Sequence, residues 1–306
     1  MFRSGFVAIV GRPNVGKSTL LNQLIGEKIA ITSPVAQTTR HRIKGVVTRE
    51  KGQVIFLDTP GFSKPLDSLG TLLTQEGMAA LSEADVVVVV VEADEEPGKG
   101  DYWVMAQAIQ SKKPTILVLN KADSLKSKNG PSIPGQKAAY LNLFQSIDSQ
   151  AEPETILAIS AKTGKHVPNL LDSILRLLPE GPAYYPEDAL TDQRLREISA
   201  EMIREKILHR TLEELPHSVA VAIETFEEKD TSTHIRATLF VDQDSQKGIL
   251  IGKNGQMIKT IGSDARQDIE TLLGHAVYLE LTVKVKKNWR KDPRFLKSLG
   301  LAPASN

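Results

Sequence analysis

Short runs of apolar residues recur through the first half of the chain, and they constrain the fold more than any other feature. Most residues in these runs are β-branched, and the runs alternate with helical patterns such as "STLLNQLIG". A strand that is apolar throughout must be buried on both faces, which is typical of a parallel sheet covered by helices on both sides. We therefore predict a mostly parallel α/β sheet from "FVAIV" (6–10), "QVIFL" (53–57), "VVVVVV" (86–91), "TILVL" (115–119) and "TILAI" (155–159).

The composition indicates a globular protein of about two domains. Of the 306 residues, 41% are hydrophobic and 25% are charged, and none is cysteine. Disulfides and thiolate metal sites are therefore excluded, and the interior of a cell is favoured. No signal peptide is evident, and the apolar run at 86–91 is too short to span a bilayer. Because the net charge is only +1, contact with nucleic acid requires a local basic patch.

The first apolar run leads into a phosphate-binding pattern. In such sheets, ligands bind beyond the carboxyl ends of the strands, and "GRPNVGKS" (11–18) at this place fits G-x-x-x-x-G-K-[ST]. Backbone N–H groups would face the phosphates, Lys17 would reach the outer two, and the Ser18 hydroxyl would ligate Mg²⁺. The predicted nucleotide-binding residues here are Gly11, Asn14, Val15, Gly16, Lys17, Ser18 and Thr19.

Three further motifs follow later runs. In "DTPG" (58–61), Asp58 can hold a water of the Mg²⁺ shell and Gly61 can bring its N–H to a γ-phosphate, although a plain turn explains the same residues. Asp123 can accept hydrogen bonds from guanine N1–H and the 2-amino group, a pair that adenine does not offer. The N–H of Ala161 can donate to guanine O6. The predicted base-site residues are Asn120, Lys121, Asp123, Ser160, Ala161 and Lys162.

These four motifs, in this order and each at a strand end, resemble the Ras-superfamily GTPase domain of the translation-factor-related type over roughly residues 4–180. The resemblance implies GTP binding and hydrolysis to GDP, with Asn120 and Lys121 shaping the base pocket. It also implies that Thr39 of "QTTR" ligates Mg²⁺ when GTP is bound. It assigns the reaction to Lys17, Thr39, Asp58 and Gly61, and the metal to Ser18, Thr39 and Asp58.

One departure from the family pattern affects hydrolysis. Many such GTPases carry a glutamine after the D-x-x-G glycine to orient the attacking water, whereas this chain has Phe62. Hydrolysis is then either intrinsically slow or aided by an ion or a partner. Asn14 resembles the asparagine with which some related GTPases coordinate K⁺, although an asparagine tolerated in a turn explains it equally well.

Proline and glycine cluster in "LLPEGPAYYPEDALTDQRLRE" (177–197), which marks a domain boundary. We predict a GTPase domain over 1–180, an interdomain linker over 181–194, and a second domain with a basic tail over 195–306. The second domain should open with an amphipathic helix and continue with two strands, a short helix, a "GKNG" turn (252–255), two helices and a strand. The predicted apolar stripe of its first helix comprises Leu195, Ile198, Met202, Ile203 and Ile207.

This order of elements around a G-x-x-G turn resembles the KH domain in its type II arrangement, an α+β fold. The resemblance implies RNA binding, because the glycines let the backbone approach a phosphate while flanking isoleucines form a groove for unstacked bases. A corner between two helices, with the isoleucines only in the core, remains the alternative. The predicted RNA-binding residues of this region are Ile251, Gly252, Lys253, Asn254, Gly255 and Lys259.

A basic segment, "VKVKKNWRKDPRFLK" (283–297), follows the last predicted strand. Its cations can contact phosphates, and Trp289 and Phe295 can stack on bases. A solvated charged face explains the cations equally well, and both aromatic residues can instead anchor the last helix. The predicted RNA-binding residues of the segment are Lys286, Lys287, Arg290 and Lys291.

The pairing of these two domains is similar to a family of bacterial GTPases that act in assembly of the small ribosomal subunit. The resemblance implies that a monomer binds the 3′ end of 16S rRNA on the pre-30S particle, in the cytoplasm with some peripheral membrane contact. Two alternatives stay open: a P-loop ATPase or kinase, and a constitutive RNA-binding module with a nucleotide domain that does not hydrolyse.

Overall fold

The computed structural model describes residues 1–33, 40, 42–61, 67–125, 131–211, 215 and 218–301. The chain divides into two compact units. The first comprises Met1–Ala30, Thr39–Pro65 and Leu73–Asp192, and the second comprises Ile31–Thr38, Leu66–Leu72 and Gln193–Asn306. Within these described residues, no helix is both long and apolar enough to cross a membrane.

A six-stranded sheet forms the centre of the first unit, in the order β2-β3-β1-β4-β5-β6. All neighbouring strands run parallel except β2, which is antiparallel to β3. The mostly parallel sheet is therefore confirmed. The strands are β1 (Arg3–Val10), β2 (Ile43–Arg49), β3 (Gly52–Asp58), β4 (Val86–Glu92), β5 (Thr115–Asn120) and β6 (Thr155–Ala158).

Helices cover both faces of this sheet, as predicted. Leu20 of α1 and Ile174 of α5 pack on one face, whereas Leu81 of α2, Met105 of α3 and Phe144 of α4 pack on the other. Burial of both faces explains why the strands read as continuous apolar runs. The helices are α1 (Lys17–Ile25), α2 (Ser68–Glu83), α3 (Lys99–Gln110), α4 (Ile133–Ile147) and α5 (Val167–Leu177).

The segment predicted as a linker over 181–194 is divided in the structure, because the part up to Asp192 groups with the first unit. Its backbone pairs with β2, where the N–H of Val46 donates to the carbonyl of Leu190 at 2.8 Å. The side chain of Gln53 also binds it, accepting at 2.9 Å from the N–H of Tyr185. These bonds extend the first unit beyond residue 180.

The second unit has a three-stranded sheet in the order β7-β8-β9, with β7 antiparallel and β9 parallel to β8. Helices α6 and α8 pack on it through Ile203, Ile207, Ile261 and Ile269. The predicted type II KH order is confirmed. The elements are α6 (Leu195–Arg210), β7 (Ala220–Lys229), β8 (Ser232–Val241), α7 (Asp244–Ile251), α8 (Gln256–Leu273), β9 (Ala276–Val285) and α9 (Pro293–Ser298), with 3₁₀ turns at Lys253–Gly255 and Trp289–Lys291.

Two expectations about the helices of this unit were wrong. The sequence after the G-x-x-G turn forms one 18-residue helix, α8, instead of two. Gly262 does not interrupt it, and a Cβ at this position would lie 3.4 Å from Leu281, so the small residue fits against the sheet. Leu195 is 39% exposed because it is the first residue of α6, before the buried stripe begins.

Two short segments from the first half of the sequence belong to the second unit, and each has a polar contact there. Glu205 of α6 accepts a hydrogen bond at 2.9 Å from the N–H of Thr32. Arg290 forms an ion pair with Asp67 at 2.8 Å. These contacts use side chains that the sequence alone did not connect.

Candidate nucleotide site and nucleic-acid interface

The phosphate loop lies between β1 and α1 and depends on two left-handed backbone positions. Asn14 has φ +68° and Gly16 has φ +93°. A Cβ at Gly16 would approach Asn120 Nδ2 to 2.4 Å, so both its φ and its surroundings require glycine. Gly16 is also the N-cap of α1. Since glycine has no side chain, the first-turn N–H groups remain available for an anion.

Lys17 is held inside the loop by backbone carbonyls. It is only 6% exposed, and its ammonium group donates to the carbonyls of Gly11 and Arg12 at 3.2 and 2.9 Å. Burial lowers the pKa of Lys17 to about 8, although the charge of Asp58 opposes the shift. A phosphate would offer this lysine a stronger partner than the two carbonyls do.

The end of β3 meets the phosphate loop at two points. The Ser18 hydroxyl donates to Asp58 Oδ2 at 2.9 Å, and Asp58 is fully buried. A Cβ at Gly61 would lie 2.8 Å from the backbone nitrogen of Pro13. The D-x-x-G glycine therefore packs directly against the phosphate loop. Adjacent hydroxyl and carboxylate oxygens suit Mg²⁺, which prefers oxygen ligands; the predicted third ligand, Thr39, lies outside the described residues, as does Phe62.

Asn120 connects the phosphate loop to the loop after β6. Its Nδ2 donates to the carbonyl of Val15 at 2.8 Å, and its Oδ1 accepts from the N–H of Ala161 at 2.9 Å. All three residues are at most 2% exposed. Asn120 thus positions two loops, and the N–H predicted to serve guanine O6 already has a partner within the protein.

The remaining base-site residues lie at the same edge of the sheet. Lys121, at φ +61°, forms an ion pair with Glu92, whose pKa is raised because burial outweighs the effect of the lysine. Asp123 and Lys162 are exposed at the mouth of the site. Ser160 is buried and its Oγ accepts from the N–H of Thr163 at 3.1 Å. The polar motifs after β1, β3, β5 and β6 therefore converge at one edge, as expected for a parallel sheet.

Arg12 is a constituent of the site that the sequence analysis missed. Its Nε donates to Asp101 at 2.7 Å and its other guanidinium nitrogen donates to Glu95 at 2.8 Å. Burial disfavours the charge of Arg12, but the two carboxylates outweigh burial and raise its pKa. No local pattern could reveal these pairs, because the partners are 83 and 89 residues away in the chain.

The G-x-x-G turn joins α7 to α8, and three of its four residues have a positive φ. Gly252 has φ +71°, Asn254 +53° and Gly255 +74°. A Cβ at Gly252 would lie 2.6 Å from the Cβ of Met257, so only glycine fits there. Lys253 and Asn254 are exposed at the tip of the turn. A turn whose glycines leave the backbone accessible, with Lys253 at its tip, is suited to contact a nucleic-acid phosphate.

The isoleucines beside the turn are partly buried. Ile249, Ile251 and Ile258 pack against the core and keep part of their surface accessible. Lys259, predicted to contact RNA, is exposed on α8. Their packing agrees with the core interpretation, and their role in a groove for bases stays a prediction.

The basic segment separates into cations with protein partners and cations at the surface. Lys286 pairs with Asp292 at 3.2 Å and lies 4.7 Å from the ring centre of Phe295. Lys287 and Lys291 are exposed. Trp289 is fully buried and its indole N–H donates to the carbonyl of Ser218 at 2.9 Å. Trp289 thus anchors the C-terminal segment and cannot stack on a base.

Comparisons with known proteins agree with this geometry. Residues 6–121 match the family described as "50S ribosome-binding GTPase", and residues 214–290 match the KH domain family. A crystal structure of an Era variant from Aquifex aeolicus bound to GDP·AlF₄⁻ has a TM-score of 0.90 and 40% identity, and the match covers 98% of this chain and 100% of that one.

A second structure, of Era in complex with MgGDPNP and nucleotides 1506–1542 of 16S ribosomal RNA, also has a TM-score of 0.90 and 40% identity, covering 99% and 100% of the two chains. GTPase Era of Heliobacterium modesticaldum is 48% identical over 97% of both chains. This chain therefore belongs to the GTPase Era family and is a GTPase.

Proposed function

We propose that the chain hydrolyses GTP while acting in assembly of the small ribosomal subunit, where its KH unit binds the 3′ end of 16S rRNA. The observation that carries this proposal is the similar Era structure that holds a magnesium nucleotide and a 16S rRNA segment together. Its fold extends over 99% of this chain, so both binding regions have counterparts here.

The nucleotide would bind at the edge of the sheet where the motifs converge. The phosphates would replace the carbonyl partners of Lys17 and meet the first-turn N–H groups of α1. Asp123, exposed at the mouth of the site, would accept from guanine N1–H and the 2-amino group. Other contacts are assigned to Gly11, Val15, Gly16, Thr19, Asn120, Lys121, Ser160, Ala161 and Lys162.

Ser18, Asp58 and Thr39 would hold Mg²⁺. The 2.9 Å contact between the Ser18 hydroxyl and Asp58 supports this assignment, because the ion needs oxygen atoms at such spacing. Bound Mg²⁺ supplies positive charge that stabilises the transferred phosphoryl group. Since Phe62 cannot orient water by a hydrogen bond, we assign to Asn14 the coordination of a K⁺ ion that assists hydrolysis.

The RNA would lie along the G-x-x-G turn. Gly252 and Gly255 would let the backbone approach a phosphate, and Lys253 and Asn254 would contact it at the tip. Ile251 and Lys259 would line the adjoining groove, and Lys287 and Lys291 would add charge. Lys286 and Arg290 already have acidic partners, so we expect them to contribute less.

The nucleotide would control RNA affinity, and by reciprocity RNA would change nucleotide affinity by the same factor. We further propose that the protein acts as a monomer on the pre-30S particle. Its proposed location is the cytoplasm, with peripheral contact at the inner face of the membrane.

The deciding experiment measures GTP hydrolysis in K⁺ buffer with and without a single-stranded RNA that carries the 3′ end of 16S rRNA. An unrelated RNA, ATP in place of GTP, and Na⁺ in place of K⁺ serve as controls. We expect stimulation by the cognate RNA alone and slower turnover in Na⁺. The RNA affinities of the GTP and GDP forms are also measured at one salt concentration, and equal affinities would contradict the coupling. Equal hydrolysis rates in K⁺ and Na⁺ would contradict the ion site.

A further inference from the structure

Residues 92–95 comprise the last residue of β4 and the start of the loop after it, and they contact both the phosphate loop and the base-recognition motif. Their backbone is fixed from α4, where the fully buried Tyr140 hydroxyl lies 3.4 Å from the carbonyl of Glu92 and 3.3 Å from that of Glu95. Gln136, also buried, donates to the carbonyl of Glu95 at 2.9 Å. The position of this loop is therefore set by the protein core.

One end of the loop holds the base-recognition motif. Glu92 forms an ion pair with Lys121, and Asp94 accepts from the Ser124 hydroxyl at 2.7 Å. The N–H of Ala93 donates to the carbonyl of Asn120 at 2.8 Å. These contacts fall on both sides of Asp123, so the loop restrains the backbone that carries the base-selecting carboxylate.

The other end holds the phosphate loop. Glu95 accepts from Arg12 at 2.8 Å, while Asp101, only 1% exposed, fixes the same guanidinium at 2.7 Å. The Arg12 carbonyl in turn accepts from the Lys17 ammonium at 2.9 Å. The side chain of Arg12 thus links Glu95 to the backbone that presents the phosphate-binding lysine.

The two ends are connected through the backbone of residues 92–95. The Tyr140 hydroxyl lies near the carbonyls of both Glu92 and Glu95, so the two residues are held in one fixed backbone segment. A series of contacts therefore runs from Arg12 through Glu95, this backbone segment and Glu92 to Lys121, which we call the Arg12–Lys121 relay.

We propose that Arg12, Glu95 and Glu92 are positioning residues that couple the phosphate loop to the base-recognition motif, so that a contact beside the phosphates helps to determine which purine nucleoside diphosphate binds. The inference rests on the proposed role of Asp123 in selecting guanine. It concerns specificity and assigns no chemical step to these residues.

The test compares the affinities for GDP and for inosine diphosphate, which lacks the 2-amino group read by Asp123. Both dissociation constants are measured for the full chain and for Glu95→Gln and Arg12→Gln. A purely local defect at the phosphate loop would weaken both ligands equally. The relay instead predicts a change in the preference for GDP, defined as the dissociation constant of inosine diphosphate divided by that of GDP. This ratio should fall by about three-fold, the size expected when one partly exposed ion pair is lost.

Glu96→Gln is the matched control, because Glu96 is the exposed neighbour of Glu95 and the charge change is the same. Its preference for GDP should equal that of the unmodified chain. The Glu95 side chain is 52% exposed, so Glu95→Gln should fold normally, which circular dichroism and the melting temperature check. An unchanged preference in folded Glu95→Gln overturns the inference.

Asp123→Asn tests the role of Asp123 in selecting guanine separately from the Arg12–Lys121 relay. Loss of the preference for GDP in that variant supports the role of Asp123, and retention of the preference contradicts that role. Retention of the preference in Asp123→Asn would overturn the inference together with the role of Asp123. With that role supported, the ratio of affinities measured in Glu95→Gln decides for or against the Arg12–Lys121 relay alone.

Discussion

At the scale of single residues, Asn120 has the most demanding position in the nucleotide site. Replacing it with alanine would leave the buried Val15 carbonyl and Ala161 N–H without their partner. Each unsatisfied group costs about 1–3 kcal/mol, so with two such groups we expect Asn120→Ala to lower the free energy of unfolding by at least about 2 kcal/mol. Affinity for GDP should fall about ten-fold or more, since a displacement of the two loops costs at least 1.4 kcal/mol of binding.

Urea unfolding and GDP titration measure the two effects of Asn120→Ala. Asn169→Ala is the control, because it removes the same side chain from an exposed position on α5. Similar losses of stability and GDP affinity in the two variants would contradict a specific role for the hydrogen bonds that join Asn120 to Val15 and Ala161.

Lys17 gives the site a pH dependence in the weakly alkaline range. In the free protein its pKa is lowered to about 8, so its charge is lost as the pH rises through that value. A bound phosphate requires the charged form, so binding takes up a proton and affinity falls with rising pH. We expect affinity for GDP to be about four-fold lower at about pH 8.5 than at about pH 7.

Titration calorimetry in buffers of different ionisation enthalpy measures this proton uptake. Lys17→Arg is the informative variant, because arginine stays charged throughout the range. Its affinity, whatever its absolute value, should not change with pH over this interval. A pH dependence that persists in Lys17→Arg would assign the titration to another group.

Sequence reasoning placed each contiguous motif correctly at the end of a strand, while the binding roles of the residues stay predictions. The stretches at 11–18, 58–61, 120–123 and 160–162 each lie at a strand end, and the parallel sheet brings strand ends together. It failed for Arg12, whose partners Asp101 and Glu95 belong to distant elements. Such contacts depend on how α3 and the loop after β4 are placed, which no local pattern encodes.

At the scale of elements, the basic segment after β9 combines a structural and a binding role. Lys286 packs over Phe295 and pairs with Asp292, the N-cap of α9, whereas Lys287 is exposed. We expect Lys287→Ala to reduce the salt dependence of RNA binding by about 0.7 in the slope of log K against log salt, the value for one phosphate contact on a single strand. Lys286→Ala should change the slope less and destabilise α9.

Fluorescence anisotropy with the 16S rRNA fragment at several salt concentrations gives both slopes. Lys229→Ala, at an exposed position at the end of β7, controls for a general loss of positive charge. If all three variants lower the slope equally, the segment acts only through net charge and Lys287 has no distinct contact.

Strand β2 shows why one element escaped the sequence analysis. Its sequence "IKGVVTR" mixes charged and apolar residues and contains Gly45. The strand forms because it pairs with β3 at the edge of the sheet, and α1 covers Gly45 so closely that a Cβ there would lie 2.4 Å from Ile25. Tertiary packing, rather than intrinsic propensity, determines this strand.

At the scale of the whole molecule, the separate cores of the two units predict two unfolding transitions. A ligand stabilises mainly the unit that binds it, by about 2.7 kcal/mol when its free concentration is one hundred times its dissociation constant. We expect GDP to raise the temperature of one transition and the RNA fragment to raise that of the other. Scanning calorimetry of the full chain measures both, and a single transition moved by either ligand would show that the units unfold together.

The bridge made by Asn120 also has a consequence for the synthesis of the protein. It connects Val15 to Ala161, positions separated by most of the first unit. The phosphate loop is translated first, but the contacts that complete its geometry require β5 and then the loop after β6, which are translated later. A nascent chain that ends before residue 161 lacks the second partner of Asn120, so GTP in the cell cannot serve as a template for folding until nearly the entire first unit has emerged.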